Sequence, residues 1–225
     1  MSSAPQLPSR LRRIALFDLD GTLTHLDTER QWALLLGEVG LLDPEPFHAF
    51  HRDYQNGVLN LQDYYDWYLA VFERVPMDQL AELRDRLVTE RMLPSIEPRA
   101  TAWIAEEREQ NDAVLLATAS NSFLTESIGA GLGLDDVLAT QLEERDGRFT
   151  GKIAGSPCYQ HGKLDHLAAW LAARDTRLEN LEATCFYSDS HNDLPLLEAV
   201  HRPVVVSPDE KLARVAQERG WKVHV

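Results

Sequence analysis

The chain is poor in cysteine, poor in positive charge and free of long apolar runs, and each shortage removes a class of explanation. Its two cysteines, Cys158 and Cys185, form no disulfide framework and no Cys-x-x-Cys metal spacing. A reduced, cytoplasmic setting is the simplest expectation. No apolar run reaches membrane-spanning length, and the opening MSSAPQLPSRLRR lacks the apolar centre of a signal peptide. That opening reads as a short disordered leader, and no membrane partner is expected. Lysine and arginine number 22 against 36 acidic residues, a formal net charge of -14. So acidic a chain is a poor partner for a nucleic-acid backbone. An anionic small molecule remains acceptable, because one metal ion reverses the sign of a pocket locally.

What is present is enough for one or two globular domains: 225 residues, 44% hydrophobic and 26% charged. The run Ile14 to Phe17 is short, apolar and followed closely by Gly21, as in a buried parallel strand. From Asp27 to Leu93 the apolar residues recur at helical spacing, with Asn60 and Pro76 as helix starts. Beyond Pro94 and Pro98 the texture alternates. Helices are expected over Arg99 to Gln110, Ser122 to Ala130, His161 to Ala173 and Leu194 to Val200. Strands are expected at AVLLAT (Ala113 to Thr118), Ala183 to Tyr187, PVVVS and WKVHV, with a hairpin turning at Asp146-Gly147. Such alternation predicts an α/β fold, a Rossmann-like doubly wound parallel sheet. The helical block becomes an all-helical cap inserted after the first strand. Residues 1–26 and 94–225 then form the core and 27–93 the cap.

The first strand runs into Asp18 and Asp20, two carboxylates one residue apart in DLDGTLT. Asp189, Asn192 and Asp193 follow the strand ATCFY, and Lys163 opens the helix before it. Doubly wound sheets bind ligands at the carboxyl ends of their strands, so both acidic clusters are expected there. Carboxylates so gathered need a cation, and oxygen ligands without a Cys or His cluster favour Mg²⁺. Beside such an ion one carboxylate can attack phosphorus, and a second can move the proton. Lys163 would screen the transferring group, and hydroxyl or N–H donors among Ser120, Asn121 and Ser122 would hold phosphate oxygens. The order of parts fits an aspartyl-phosphate phosphotransfer site.

DLDGTLT, ATASNSF, GKLDHL and YSDSHNDLPLL, in this order, resemble the four motifs of the haloacid dehalogenase (HAD) superfamily. The helical insert and the N-D-L of the last motif resemble its phosphoserine phosphatase branch. The resemblance implies Asp18 as nucleophile and Asp20 as general acid/base, its backbone carbonyl also on Mg²⁺. It implies Asp189 as the Mg²⁺-ligating aspartate of the fourth motif. Asp193 would support the metal shell and Lys163, and Asn192 would be a phosphate-proximal or metal-shell amide. For the second motif it selects Ser120, with Thr118 the weaker candidate on the same strand face. The activity implied is Mg²⁺-dependent hydrolysis of a small phosphomonoester; a mutase-type phosphotransferase shares Asp18 and Asp20 and is the alternative. A non-catalytic phospho-acceptor switch fits less well, since receivers carry no large helical insert and no second Asp two residues on.

The chain departs from that branch where substrate is chosen. Asp27 stands in place of a substrate-binding glutamate, and Asp66 or Tyr68 falls where a cap arginine is expected. Such a cap suits a cationic or aromatic remote group, as in histidinol phosphate, while phosphoserine fits less well. The aromatics Tyr64, Tyr65, Trp67, Tyr68 and Phe72 read most simply as the buried stripe of a cap helix. His25 and His191 read as solvated or hydrogen-bonding side chains.

Overall fold

A computed structural model describes residues 7, 8 and 10–224, so the first six residues and residue 9 of the expected leader MSSAPQLPSRLRR lie outside the described residues, while at its end Leu11 is buried and Arg13 begins the first strand. Strand β1 (Arg13–Phe17) pairs in parallel with β2 (Ala113–Asn121) on one side and β6 (Ala183–Ser188) on the other. The six-stranded sheet is completed by β3 (Asp136–Thr140), β7 (Arg202–Val206) and β8 (Lys222–His224), in the order β3-β2-β1-β6-β7-β8 with every pairing parallel. This is the α/β sheet expected. β4 (Leu142–Arg145) and β5 (Arg148–Ile153) form the separate antiparallel hairpin around Asp146 and Gly147, both at positive φ.

The apolar alternation of the central strands explains why helices cover both faces. Ala15, Phe17, Val114, Leu116, Cys185 and Tyr187 enter one buried cluster; Ile14, Leu16, Ala113, Leu115 and Phe186 enter the other. The second face is covered by α8 (His161–Ala172), α9 (Leu194–Ala199) and α10 (Glu210–Arg219), through Leu167, Leu171, Leu197 and Leu212. The first is covered by α6 (Pro98–Gln110) and α7 (Ser122–Gly131), and its cluster runs on into the helices between β1 and β2.

Those inserted helices are α1 (Thr28–Glu38), α2 (Phe47–Asn56), α3 (Leu61–Tyr68), α4 (Ala70–Arg74) and α5 (Met77–Leu87). Asn60 caps α3 as its sequence position suggests, accepting from the Gln62 and Asp63 amides. Trp32, Leu36, Tyr68 and Phe72 are fully or almost fully buried and give the cap a core continuous with the sheet's. Two features differ from the sequence-based expectations. β2 continues three residues past Thr118, to Asn121, and β3 was not anticipated because DVLAT is a short segment beside the hairpin run. The longer β2 carries Ser120 out to the sheet's carboxyl edge.

Candidate active site

Register places the first and fourth motifs side by side. Phe17 lies opposite Leu116 on one neighbour and Tyr187 on the other, and the Asp18 amide donates to the Tyr187 carbonyl at 2.9 Å. Asp18 therefore leaves β1 level with the end of β6, and the turn that follows brings in Asp189. Gly21 makes this close approach possible: it has φ +85, and a Cβ there would lie 2.3 Å from Asp189 Oδ2.

Lys163 is buried and donates to Asp18 Oδ1 at 2.7 Å and to Asp193 Oδ2 at 2.8 Å. Ser188 supports the pair by donating to Asp193 Oδ2 at 2.7 Å. The lysine is aimed by the tight entry to α8. Gln160 has φ +52, and a Cβ on Gly162 would stand 2.0 Å from the Pro157 carbonyl oxygen. No larger residue fits before Lys163 without moving that turn. Burial disfavours the ammonium, but the charges of Asp18 and Asp193 outweigh it and hold the lysine protonated.

Burial is also the largest influence on the carboxylates, and it pushes them upward. Asp18 rises to about 6 through burial, with Lys163 opposing and Asp193 adding to the shift. Asp189 is raised well above the usual range by burial and by the charges of Asp18 and Asp193. Its side chain is held by the Thr22 hydroxyl at 3.1 Å and by no lysine or arginine among the described residues. Asp20 is raised by burial and by Asp27. Its Oδ1 accepts from the Thr28 amide at 3.0 Å and its Oδ2 from the Ser120 hydroxyl at 3.0 Å. Asp18 and Asp20 thus sit in different surroundings: one is paired with a cation, the other is held by hydroxyl and amide donors.

Asp18 and Asp193 share one lysine, and the half-buried Asp189 stands beside them with no cation of its own among the described residues. That surplus of negative oxygen suits a hard divalent cation. Among the described residues no three His, Cys, Asp or Glu side chains form a ready ligand set. The donors that could serve such an ion are two side chains, Asp18 and Asp189, with the Asp20 backbone carbonyl the third that the family resemblance implies. Asn192 is buried; its Oδ1 accepts from Tyr159 and Gln160, each at 3.1 Å, and its Nδ2 has no partner. An unpaired buried amide on a cavity wall is a donor waiting for an acceptor.

A cavity of about 360 Å³ opens between the strand ends and the cap, with Asp20, Ser120, Asp189 and Asn192 on its core side. Ser120 lies in this wall. Thr118 does not: it is buried below, where its hydroxyl accepts from the Ser120 amide at 3.2 Å. Asn121, not Ser120, caps α7, accepting from the Leu124 amide at 3.3 Å, which leaves the serine hydroxyl for the site.

The cap candidates divide. Asp27 reaches the cavity, but it also caps α1 and pairs with His51 Nδ1 at 3.3 Å. Asp66 is exposed and accepts from Gln62 Nε2 at 2.7 Å. Tyr64 and Tyr68, four residues apart, share the buried face of α3, so Asp66 between them must face away. Tyr68 is fully buried and accepts from Asn121 Nδ2 at 3.1 Å, off the cavity wall. Tyr64 and Tyr65 do line it. His25 is exposed at its edge, and His191 contacts Asp209 Oδ2 through Nδ1 at 2.7 Å. The residue that sequence reasoning missed is Glu29. It lines the cavity, yet a glutamate in a first helical turn is so ordinary that nothing in the sequence separates it from a dipole-favoured surface acid.

The fold and site together define a phosphatase with an aspartate-rich centre, and comparison with known proteins gives it a family. The profile of the haloacid dehalogenase-like hydrolases matches residues 15–198, and the chain belongs to that family. It is 37% identical over 218 residues to a histidinol-phosphatase of Neisseria meningitidis serogroup C, spanning 95% of this chain and 98% of that protein. A crystal structure of a protein of unknown function from Bordetella pertussis Tohama I superposes with a TM-score of 0.89 at 36% identity, covering 96% and 99% of the two chains. A phospho-aspartyl intermediate analogue of phosphoserine phosphatase shares the fold, with a TM-score of 0.66 at 19% identity over 95% and 93%.

Proposed function

We propose that the protein hydrolyses small phosphomonoesters with Mg²⁺, through a phosphoryl group carried transiently on Asp18. The observation that carries this reading is the buried Lys163, 2.7 Å from Asp18 and 2.8 Å from Asp193, beside an Asp20 held apart by Thr28 and Ser120. Asp18, Asp189 and the Asp20 carbonyl would hold Mg²⁺, which when bound neutralises charge on the nucleophile and the phosphoryl oxygens.

Lys163 occupies Asp18 Oδ1 and holds the carboxylate ionised, leaving Oδ2 to attack phosphorus. As the P–O bond to the alcohol breaks, Asp20 gives its proton to the leaving oxygen. Its raised pKa suits that task, because the acid must start protonated. Asp20, now ionised, then takes a proton from the water that attacks phosphorus; inorganic phosphate leaves and Asp18 is restored. Ser120, the unpaired Asn192 Nδ2 and Lys163 hold phosphoryl oxygens. The cap shields the site from bulk water, with Tyr54 of α2 and Tyr159 of the core in tilted ring contact at 5.4 Å between centroids.

The aromatic, acidic cap wall and the relative from Neisseria support an amine-bearing ester such as histidinol phosphate as substrate, acted on in the cytoplasm. The test is a panel of phosphomonoesters assayed with Mg²⁺ and with EDTA, beside Asp18→Asn. Release of inorganic phosphate is expected only from the wild type with Mg²⁺. Hydrolysis that survives Asp18→Asn or ignores EDTA overturns the mechanism, and transfer of the phosphoryl group to an added alcohol instead of water makes the enzyme a phosphotransferase.

A further inference from the structure

The cavity has two ends, joined by pairs of neighbouring residues. Thr28 holds Asp20 at the reacting end, and the next residue, Glu29, faces the cavity from the cap. Ser120 likewise donates to Asp20, and the next residue, Asn121, donates to Glu29 Oε1 from its amide at 3.2 Å and from Nδ2 at 3.3 Å. The Tyr64 hydroxyl donates to Glu29 Oε2. The carboxylate is therefore fixed by three donors, one residue further from the reaction centre on each of two separate segments.

Its charge has no counterpart. No lysine or arginine lines the cavity, and no basic side chain pairs with Glu29 among the described residues. Of the three lining histidines, His51 already faces Asp27, His191 faces Asp209, and His25 is exposed and makes no ion pair or hydrogen bond with Glu29. The titratable groups near Glu29 are Tyr64, Tyr65 and Tyr68 of α3 and Asp27 of its own segment, none of them a cation. Burial and Asp27 push the Glu29 carboxyl up to about 7 against the help of its hydrogen bonds. An acid held ready but unneutralised, beside the aromatic walls of Phe50, Tyr54, Tyr64 and Tyr65, is a receptor for a cation.

We propose that Glu29, in place of Asp27, binds an ammonium or imidazolium carried by the alcohol portion of the substrate. The proposal deepens the phosphatase reading and rests on it for the position of the phosphate. Asp27 is excluded by its own contacts, since one oxygen caps α1 and the other faces His51. The same cavity disfavours a substrate with a carboxylate at its remote end, which would meet Glu29 with no arginine to offset it.

The test uses an isosteric pair, 3-aminopropyl phosphate and butyl phosphate, and reads the ratio of their kcat/KM values. The wild type should favour the amine, and Glu29→Gln should lower the ratio at least about 10-fold, the loss expected for one charged hydrogen bond. Asp27→Asn should keep the ratio within about 3-fold, as for a group outside the contact. In the wild type the ratio should rise between pH 6 and 8 as Glu29 ionises while the amine stays charged, which replaces the variant if Glu29→Gln fails to fold. An unchanged ratio in Glu29→Gln, or no preference for the amine in the wild type, overturns the proposal. Calorimetric binding of both esters to Asp18→Asn protein, with and without Glu29→Gln, separates the two readings. Preferential binding of the amine there without turnover in the wild type supports the receptor and refutes the phosphatase mechanism.

Discussion

Replacing Lys163 with methionine removes one cation from between two buried carboxylates while keeping most of the side chain's volume. Lys163 and Asp193 are about as buried as core residues, at 3% and 2% relative exposure, and the two contacts are 2.7 and 2.8 Å long. Breaking a buried pair by deleting one partner costs about 3–5 kcal/mol, because the remaining charge is left without compensation. In EDTA at pH 8, urea unfolding should show that loss, and a melting scan should show a drop of roughly 10 °C for a chain of this size. The loss must depend on pH in a definite direction. Asp18 titrates at about 6 with the lysine present and higher without it. A carboxyl whose folded pKa is raised stabilises the fold most at low pH and loses that contribution as pH rises through the folded value. Lowering the pH to 5.5 lets the variant's Asp18 take up a proton, so the gap to wild type should shrink by roughly 2–3 kcal/mol, at about 1.4 kcal/mol per pH unit. A variant within about 1 kcal/mol of wild type at pH 8, or a gap that widens on acidification, would show that Lys163 is not what holds Asp18 charged.

Mg²⁺ should raise the melting temperature at pH 8, by about 2.7 kcal/mol of stability at a hundred times its dissociation constant, and Asp189→Asn should abolish the shift in a differential scan. The same shift should be smaller at pH 5.5, because Asp18 and Asp189 are raised and protons then compete with the ion. Gly162→Ala puts a Cβ 2.0 Å from the Pro157 carbonyl oxygen, so the turn must move and Lys163 with it. A stability loss of about 1–3 kcal/mol should accompany a fall in kcat larger than any change in KM, measured by denaturation and steady-state kinetics. Asn192→Leu should lower kcat/KM by roughly 10–100-fold at a stability cost of only about 1–2 kcal/mol, since its Nδ2 has no partner to lose in the free protein and only the contacts from Tyr159 and Gln160 to Oδ1 are given up.

Much of the reacting end was legible from the chain alone. DLDGTLT, the lysine after Gly162 and the acids after ATCFY carry their chemistry in residue type and order, and a parallel sheet brings strand ends together whatever the loops do. The alternation of apolar residues in β1, β2 and β6 likewise implied a sheet covered on both faces, as found. Sequence alone also sufficed for the absence of a basic residue between Asp53 and Glu73, which is a matter of residue type.

Which cap residues meet the cavity was a matter of tertiary structure. Asp66 and Tyr68 stand out only by their place along the chain, but a helix turns each residue about 100° from the last, and a small error in phase exchanges buried for exposed. Tyr64 and Tyr68 face inward on α3, and Asp66 between them faces out. The role of Ser120 was decided by three extra residues of β2 and by Asn121 taking over the cap of α7. Glu29 became visible only when the chain closed, because a first-turn glutamate has no distinguishing mark until Tyr64 and Asn121 arrive from 35 and 92 residues away and leave its charge unneutralised. The sequence determined which atoms do the chemistry, through local motifs at strand ends; tertiary structure decided which groups surround the substrate, because packing a helix against a sheet selects one face of it and no local motif records which.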